Sequence, residues 1–578
     1  MRRALLAAAV GLLLAGPALA APGFPKPVGP PAKRLTETQA KRIFLQSHKV
    51  AAWLHHYPRR TWQTDAIFDE DAHVWRVNVW AGAAGEVATG KVDDTSGAVA
   101  EAWTGPQVAW KMARGYDGAF GGREVNSAPV WLAFCAFFLL GLGDLRRPLS
   151  LRNLDLLALL SFSVSLWFFN RGEIFTSVPL AYPPLLYLLG RMSWSAWRGR
   201  LGTGAVPVWP VWVLAAATVF AAGFRLGLNV RASNVIDVGY SGVIGANRIA
   251  NGQSPYGHFP VELGEACGPS DSEGETRERI QTNGRCESAN PQGDTYGPAA
   301  YETYLPGYLA LGWTGKWDDL PAAHFASIAF DLLCVVGLAL VGLRFGGTRL
   351  AVTLAFAWVS YPFTQYVSSS NTNDALPPLF LIWGFWLATW PAARGACVAL
   401  SGWTKFAPLL LVPLWASYPE RRLRPTLLFA AGFVAATVAA FSILLLEPNP
   451  AHAAHVFWDR TLGWQIGRDS PFSLWDWQQY DAGLPDLHVL QWVLEGLLAV
   501  AALALYFVPR RKSPLQLAAL TAALLLGFQL VLTHWFYLYL PWFFPFAAFA
   551  VLAPAVEPLR ATVRAPVERP RQELVGAE

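Results

Sequence analysis

Residues 229–260 read NVRASNVIDVGYSGVIGANRIANGQSPYGHFP and follow directly on an apolar run at 207–224. The run is long enough for a membrane span, so Asp237 lies about a dozen residues beyond the predicted end of a transmembrane helix. Four apolar residues recur around this carboxylate at helical spacing, namely Ile236, Tyr240, Val243 and Ile244. The stretch therefore predicts a short amphipathic helix that begins at an acid. The rest of the chain decides on which side of the membrane that acid lies.

Composition places the chain among helical membrane proteins. Of its 578 residues, 53% are hydrophobic and 15% are charged, which is too apolar for a soluble protein of this length. The net charge of +5 is small, and nothing in the sequence indicates a nucleic-acid partner. Apolar runs after residue 128 predict a polytopic, mainly α protein of about 11–13 spans. They fall near 129–143, 154–169, 178–192, 207–224, 321–343, 349–366, 375–391, 396–417, 424–446, 488–508, 514–532 and 535–553.

The N-terminus has the pattern of a secretory signal peptide over residues 1–20. Met1-Arg2-Arg3 precedes an apolar segment that ends in Ala18-Leu19-Ala20. A Pro-rich linker at 21–35 follows, and we expect the chain after it to lie outside the cytoplasm. The Arg-rich residues 554–578 predict a cytoplasmic tail.

Residues 36–120 predict a small extracytoplasmic α+β domain. Thr36 and Gln39 form a capping-box pattern ahead of a helical apolar stripe. The period then changes to two over 75–79, 87–92 and 98–103, which is typical of strands. The acidic turn at 93–97 between two strands resembles PepSY-type domains. A folded spacer or docking module is the simpler interpretation, because no catalytic arrangement of His, Cys and carboxylates appears there.

Basic loops orient the spans, since Lys and Arg concentrate on the cytoplasmic side. With an external N-terminal domain and three accessory helices in 129–206, the segment from Arg225 to about residue 297 falls outside. Two places then need irregular backbone, which membrane proteins tolerate where it lines a cavity. We expect 301–313 to be re-entrant or interfacial. A hairpin of two short half-helices, broken near 402–408, keeps both Arg394 and the arginines at 421–424 inside.

This topology brings several polar groups to the outer face: Asp237, Tyr296 in a Tyr-Gly-Pro turn, Asn371, Asn373 and Asp374 at a loop end, Lys405 at the hairpin break, Arg460, Arg468 and His534. One carboxylate with several cations at the lipid boundary suits transfer from an anionic lipid carrier. The carboxylate deprotonates an acceptor hydroxyl, and the cations stabilise a phosphate leaving group. Cys267 and Cys286 share one external loop and predict a disulfide.

Each of these residues also has a purely structural interpretation. Asp237 follows Asn234 by three residues, which suits the first turn of a capped helix. Lys405 at membrane depth costs ~3 kcal/mol or more unless it is paired, yet a lysine can also snorkel to the interface. The others suit a solvated loop, an interfacial position or a helix start: Arg460, Arg468, His534, Asn371, Asn373 and Asp374.

Together these features resemble the GT-C class of integral-membrane glycosyltransferases, and most of all the mannosyltransferase-like glycosyltransferase family 87, over residues 207–553. The matching features are Asp237 after a span, the stretch 248–256, the turn 296–298, the loop end 371–374, the break 402–408 and the late His534. The resemblance implies a polyprenyl-phosphate-linked sugar donor. It also implies that Asp237 is the catalytic base and that Lys405, His534 and Arg468 contact lipid phosphate. The extra N-terminal spans and the 261–295 insertion depart from the family pattern, so the acceptor is not implied.

The leading hypothesis is inverting transfer of a hexosyl, mannosyl or pentosyl group to a glycan or lipid acceptor on the outer face of the cell membrane. A transporter or lipid flippase is one alternative, and it would show pseudo-repeated spans and ionisable groups along a mid-membrane path. A non-catalytic assembly factor whose PepSY-like domain binds a partner is another. No cofactor or metal site is predicted, although Asp374 together with Asp237 could hold a divalent cation.

Overall fold

The computed structural model describes residues 33–553 except 56, 71–72, 82–85, 105–107, 109–119, 172–173, 199–208, 260–278, 281–285, 288–293, 315–319, 464, 466–469, 471 and 480–483. The predicted signal peptide, nearly all of the predicted linker and the predicted tail therefore lie outside the described residues.

The described chain is mainly helical, with a small antiparallel sheet near its N-terminal end. The strands are β1 Trp62–Asp69, β2 Val74–Ala81, β3 Glu86–Asp93, β4 Val99–Thr104, β5 Arg279–Ile280 and β6 Cys286–Glu287. The helices are α1 Glu37–Gln46, α2 His48–Leu54, α3 Arg123–Asn126, α4 Ala128–Leu142, α5 Leu151–Phe169, α6 Ile174–Arg198, α7 Val211–Ala232, α8 Asp237–Ala250, α9 Pro298–Glu302, α10 Leu305–Leu311, α11 Pro321–Ser360, α12 Pro362–Ser369, α13 Leu376–Trp386, α14 Pro391–Gly402, α15 Val412–Ala416, α16 Leu423–Phe441, α17 Pro450–Trp458, α18 His488–Ala504, α19 Pro514–Val531 and α20 Leu540–Leu552.

The N-terminal domain packs α1 and α2 on a four-stranded antiparallel meander, β1-β2-β3-β4. The predicted capping box starts α1, because Gln39 N donates to Thr36 Oγ1 at 3.3 Å and Thr36 N donates to Gln39 Oε1 at 2.8 Å. Gly90 lets the helix approach the sheet, since a Cβ there would lie 2.4 Å from the Phe44 ring. Strand β1 is an addition that the sequence pattern did not predict.

The second face of this sheet includes a row of polar residues, of which Asn78 and Thr89 are buried. Asn78 donates to Asp65 Oδ1 at 3.1 Å and accepts from Thr89 Oγ1 at 2.6 Å, so the row is satisfied internally. The row ends at Trp103, which pairs in register with Thr89 and belongs to the apolar core of the helical body. The sheet therefore lies between its own helices and the rest of the molecule.

Five described helices are long and apolar enough to cross a membrane: Leu151–Phe169, Val211–Ala232, Pro321–Ser360, Leu423–Leu446, which extends α16 through a 3-10 turn, and Pro514–Val531. Shorter apolar helices accompany them at Ala128–Leu142, Ala407–Ala416, His488–Ala504 and Tyr537–Leu552. The core lies along α11, α19 and α20, whereas α16 and α18 expose most of their apolar side chains. The number of spans stays a prediction.

The end of the span before Asp237 was predicted too early. Helix α7 continues past residue 224 to Ala232, so Asp237 follows it after four residues and not a dozen. Arg225 is buried within the helix, where its Nη2 lies 2.5 Å from Asp331 Oδ1. Because this ion pair satisfies the guanidinium internally, the arginine does not mark the membrane boundary.

Helix α11 is a hairpin of two arms, and not one straight rod. Gly347 has a φ of 71°, which favours glycine and interrupts the helix. A Cβ on Gly342 would lie 2.3 Å from Ala351 Cα, a proximity that requires the chain to reverse between them. The two apolar runs predicted at 321–343 and 349–366 correspond to these arms, although the second arm ends at Ser360 and α12 follows.

Both predicted irregular segments are present. Helices α9 and α10 have five and seven residues, so each spans about 10 Å or less at 1.5 Å per residue and cannot cross a bilayer. The hairpin around Lys405 consists of α14, a break, a 3-10 turn at Ala407–Leu411 and α15. Its two ends meet, because Arg394 Nη2 donates to Tyr418 O at 2.8 Å.

Candidate functional site

A cavity of about 280 Å³ collects five of the residues predicted from sequence, namely Asp237, Tyr296, Asp374, Lys405 and His534. The rest of its wall is mostly apolar and aromatic, and includes Phe120, Ile236, Val238, Phe406, Phe472, Phe528, Leu532, Phe536, Leu538, Tyr539 and Trp542. The five polar residues come from segments that are far apart in sequence. The cavity therefore combines a small charged cluster with a large apolar wall.

The start of α8 fixes the position of Asp237. The segment before it runs beside the end of α12, because Asn234 N donates to Ser369 O at 3.1 Å and Ile236 N donates to Ser370 O at 3.3 Å. Ile236 is the N-cap of this helix and makes no side-chain cap bond. Asp237 occupies the first turn, where the helix dipole favours a negative charge.

Asn371 holds this junction together and is not among the residues that line the cavity. Its backbone is left-handed, with a φ of 52°. Its Nδ2 donates to Ser233 Oγ at 2.9 Å and to Asn234 O at 2.8 Å, and its Oδ1 accepts from Asn229 Nδ2 at 2.9 Å. All of these contacts are internal, so the structure places Asn371 as a support for Asp237.

Lys405 and Asp374 form a buried ion pair in the cavity wall. Lys405 Nζ lies 2.6 Å from Asp374 Oδ1, and their side chains are 11% and 0% exposed. Trp542 Nε1 donates to the same oxygen at 3.3 Å. Among the described residues, Asp374 Oδ2 has no hydrogen-bond partner. The pair therefore presents one buried carboxylate oxygen that the described protein does not satisfy.

Aromatic rings enclose the ammonium of Lys405. Its Nζ lies 5.3 Å from the ring centroid of Tyr296, 5.2 Å from that of Tyr539 and 5.6 Å from that of Trp542. Ring faces attract a cation, most strongly where water is excluded. Tyr539 and Trp542 were not predicted as site residues, and the aromatic run after His534 was the only signal that pointed to them.

The Tyr-Gly-Pro turn docks on the hairpin tip that carries Lys405. Gly297 N donates to Thr404 O at 3.3 Å, and Ala299 N donates to Trp403 O at 3.1 Å. A Cβ on Gly297 would lie 2.0 Å from Trp403 O, so no larger residue fits without displacing the tip. The turn and the tip therefore form one unit.

Ser470 orients His534 and was missed in the sequence. Ser470 Oγ lies 2.9 Å from His534 Nδ1 and also accepts from Phe472 N at 3.2 Å. A serine hydroxyl has one hydrogen to donate, so Ser470 Oγ can donate to Nδ1 when His534 is the tautomer that carries its hydrogen on Nε2. Ser470 N donates to Asp476 Oδ2 at 2.7 Å, which fixes the serine.

The remaining predicted residues lie elsewhere. Arg460 is not among the cavity-lining residues, and its Nε lies 2.9 Å from Asp294 Oδ2. Asn373 is buried in a 3-10 turn and its Oδ1 has no hydrogen-bond partner among the described residues. Arg468 lies outside the described residues, as do Cys267 and the side chain of Cys286, so the predicted disulfide stays a prediction.

Within the described part of the chain, no group of three or more His, Cys, Asp or Glu side chains is arranged to hold a metal ion. Comparison with protein-family models, curated proteins and solved structures finds no match to this chain. Interpretation of the cavity therefore depends on its own chemistry.

Proposed function

We propose that this chain is an integral-membrane glycosyltransferase that moves a sugar from a polyprenyl-phosphate donor to an acceptor hydroxyl. One observation supports this proposal above all others. Asp237, Lys405 and His534 come from three separate segments and line the same cavity, which has a mostly apolar wall. A base, two phosphate-binding groups and an apolar surface for a lipid chain are what this transfer requires.

In the proposed reaction, Asp237 accepts the proton of the acceptor hydroxyl as that oxygen attacks the anomeric carbon. The bond from that carbon to the phosphate oxygen breaks, and its electron pair leaves with the polyprenyl phosphate. Attack from the opposite side inverts the anomeric configuration. Lys405 and the Nε2–H of His534 stabilise the negative charge that develops on the phosphate. Arg468 is proposed as a further phosphate contact.

The setting of the reaction belongs to the same proposal. The helices of membrane-spanning length support a polytopic protein of the cell membrane. We place the cavity, the Tyr-Gly-Pro turn and the PepSY-like N-terminal domain on the extracytoplasmic side because the basic loops concentrate on the other side. A hexosyl or pentosyl donor and a glycan or lipid acceptor fit this arrangement.

The experiment uses the purified full chain in lipid vesicles with radiolabelled polyprenyl-phosphate mannose, glucose or arabinose as the probe. Asp237→Asn should abolish label transfer to a membrane glycan extract, because an amide cannot accept the proton. Glu124→Gln is the matched control, since this exposed acid is not among the cavity-lining residues, and it should retain full activity. Normal turnover in the Asp237 variant would exclude this base.

The same vesicles discriminate the alternatives. Movement of the labelled lipid across the bilayer with its sugar intact would support a transporter or flippase. If neither transfer nor movement depends on Asp237, an assembly factor becomes the better hypothesis.

A further inference from the structure

Two arginine-rich segments that are far apart in sequence meet at the base of the hairpin, opposite the tip that carries Lys405. Residues 421–424 follow α15, and residues 510–511 lie between α18 and α19. Glu420 and Arg511 form an antiparallel backbone bridge, and Lys512 N donates to Pro419 O at 2.8 Å. The base of the hairpin is thereby tied to the α18–α19 connection.

This junction carries five exposed arginines, which we call the arginine surface: Arg421, Arg422, Arg424, Arg510 and Arg511. Glu420 lies 3.0 Å from Arg422 Nη2 and 3.8 Å from Arg511 Nε. The side chains of these two arginines nevertheless stay 68% and 80% exposed. One carboxylate cannot neutralise five guanidinium groups, so the surface keeps a strong positive charge.

Two exposed apolar helix faces lead away from the arginine surface. Helices α16 and α18 each pack on the short helix α15, which lies between them. Both expose large apolar side chains, including Leu423, Leu427, Val434, Leu497 and Leu503. Near the arginines the two faces are linked, because the Arg421 guanidinium lies 5.2 Å from the Phe507 ring centroid and Thr426 Oγ1 lies 3.5 Å from Tyr506 Oη.

The arginines occupy an unfavourable position within the protein alone. Arg422 is the N-cap of α16, and Arg424 is in its first turn, where the positive end of the helix dipole repels cations. Neither an acidic residue nor a side-chain cap bond lies in that first turn. An anion at this place would offset the repulsion, and a phosphate suits guanidinium groups because it accepts paired hydrogen bonds.

We propose that the arginine surface binds the headgroup phosphate of an anionic phospholipid, with the acyl chains lying along α16 and α18. A phospholipid matches both features at once, whereas a soluble phosphate would leave the exposed apolar faces of α16 and α18 unexplained. Basic residues at the ends of membrane helices attract anionic lipid. The inference rests on the proposed membrane location but not on the transferase chemistry, so either one can fail without the other.

The experiment measures lipids that stay bound to the purified full chain by native mass spectrometry, with equal amounts of phosphatidylglycerol and phosphatidylcholine. The wild-type chain should retain phosphatidylglycerol preferentially. R422Q/R511Q should reduce that preference by about 30-fold, since each basic side chain at a membrane surface contributes about fivefold to binding of an anionic lipid. R59Q/R60Q removes the same charge from an exposed turn of the N-terminal domain, away from the ends of the apolar helices, and should leave the preference unchanged.

Three results would overturn the proposal. The wild-type chain could show no preference for phosphatidylglycerol. This result would exclude the proposal even if the double variant does not fold. The control variant could lose the preference to the same degree, which would indicate general charge. Inorganic phosphate at millimolar concentration could displace the lipid completely, which would indicate a site for a soluble anion.

Discussion

At the scale of single residues, the Lys405–Asp374 pair has a structural role beside the chemical role proposed for Lys405. Taking either charge out of water is costly, and only the partner and the surrounding rings offset that cost. A lysine that merely snorkelled to the interface would not need a fully buried carboxylate beside it. The pair therefore accounts for the burial of Lys405 and makes the residue difficult to replace, and phosphate binding by Lys405 stays a proposal.

Replacing Lys405 tests both roles. Lys405→Met should lower the free energy of unfolding by about 3 kcal/mol, because it leaves the Asp374 carboxylate buried and unpaired. The double variant Lys405→Met/Asp374→Asn should recover most of that stability and remain inactive. Thermal unfolding in detergent and label transfer from the polyprenyl-phosphate probe measure the two quantities. Recovery of transfer in the double variant would exclude Lys405 from phosphate binding.

Ser470 is predicted to act through His534. Ser470→Ala should lower kcat by about tenfold to 100-fold and leave KM for the donor nearly unchanged, because the imidazole loses the hydrogen bond that selects its tautomer. Ser470→Thr keeps the hydroxyl and should retain most of the activity. Steady-state kinetics of the two variants separate orientation of His534 from simple packing. A defect in packing would lower the activity of the Ser470→Thr variant as well as that of the Ser470→Ala variant.

At the scale of elements, the sequence predicted the helices and strands whose positions follow from the placement of arginines or from the spacing of apolar residues. Two arginine groups on either side of one apolar run required the hairpin, and alternation predicted β2, β3 and β4. The end of α7 could not be predicted, because Arg225 is satisfied by Asp331, about a hundred residues away. Ser470 was missed for the same reason, since its partner lies 64 residues further along the chain.

The docking of the Tyr-Gly-Pro turn can be tested with a single methyl group. Gly297→Ala should displace the hairpin tip and strongly reduce transfer, because the new Cβ meets Trp403 O. Gly190→Ala is the matched control. Nothing lies within 4 Å of a Cβ at that position, so the substitution should be neutral or slightly stabilising. Activity and thermal unfolding of both variants provide the comparison, and a fully active Gly297 variant would contradict the tight docking.

At the scale of the whole molecule, the N-terminal domain is electrostatically coupled to the loop that carries Ser470. Lys49 Nζ donates to Ala102 O at 2.9 Å, on the edge strand β4. Burial lowers the pKa of Lys49 to about 7, and the charge of Asp476 opposes this shift. Asp476 is also the carboxylate that holds Ser470 N. Asp476 therefore interacts with Lys49 of the domain and with Ser470, which in turn contacts His534.

This coupling predicts a pH dependence of stability. Between about pH 7 and the ordinary lysine range, the unfolded chain binds a proton that the folded chain does not, so stability should rise with pH across that interval. Lys49→Met should remove this rise and stabilise the protein most at pH 7 and below. Thermal unfolding of the two full-length proteins between pH 6 and 9.5 gives the difference curve. If the stability of the wild-type and Lys49→Met proteins changed with pH in the same way, Lys49 would be solvated in the folded protein.

Phe120 determines where the molecule can be divided. Its ring lies 4.8 Å from that of Phe536 and 6.5 Å from that of Phe169, and it forms part of the cavity wall. Phe120 is therefore already part of the helical body that holds the cavity. Any recombination that exchanges this domain, in the laboratory or in evolution, must keep Phe120 with the helical body to preserve this part of the cavity wall.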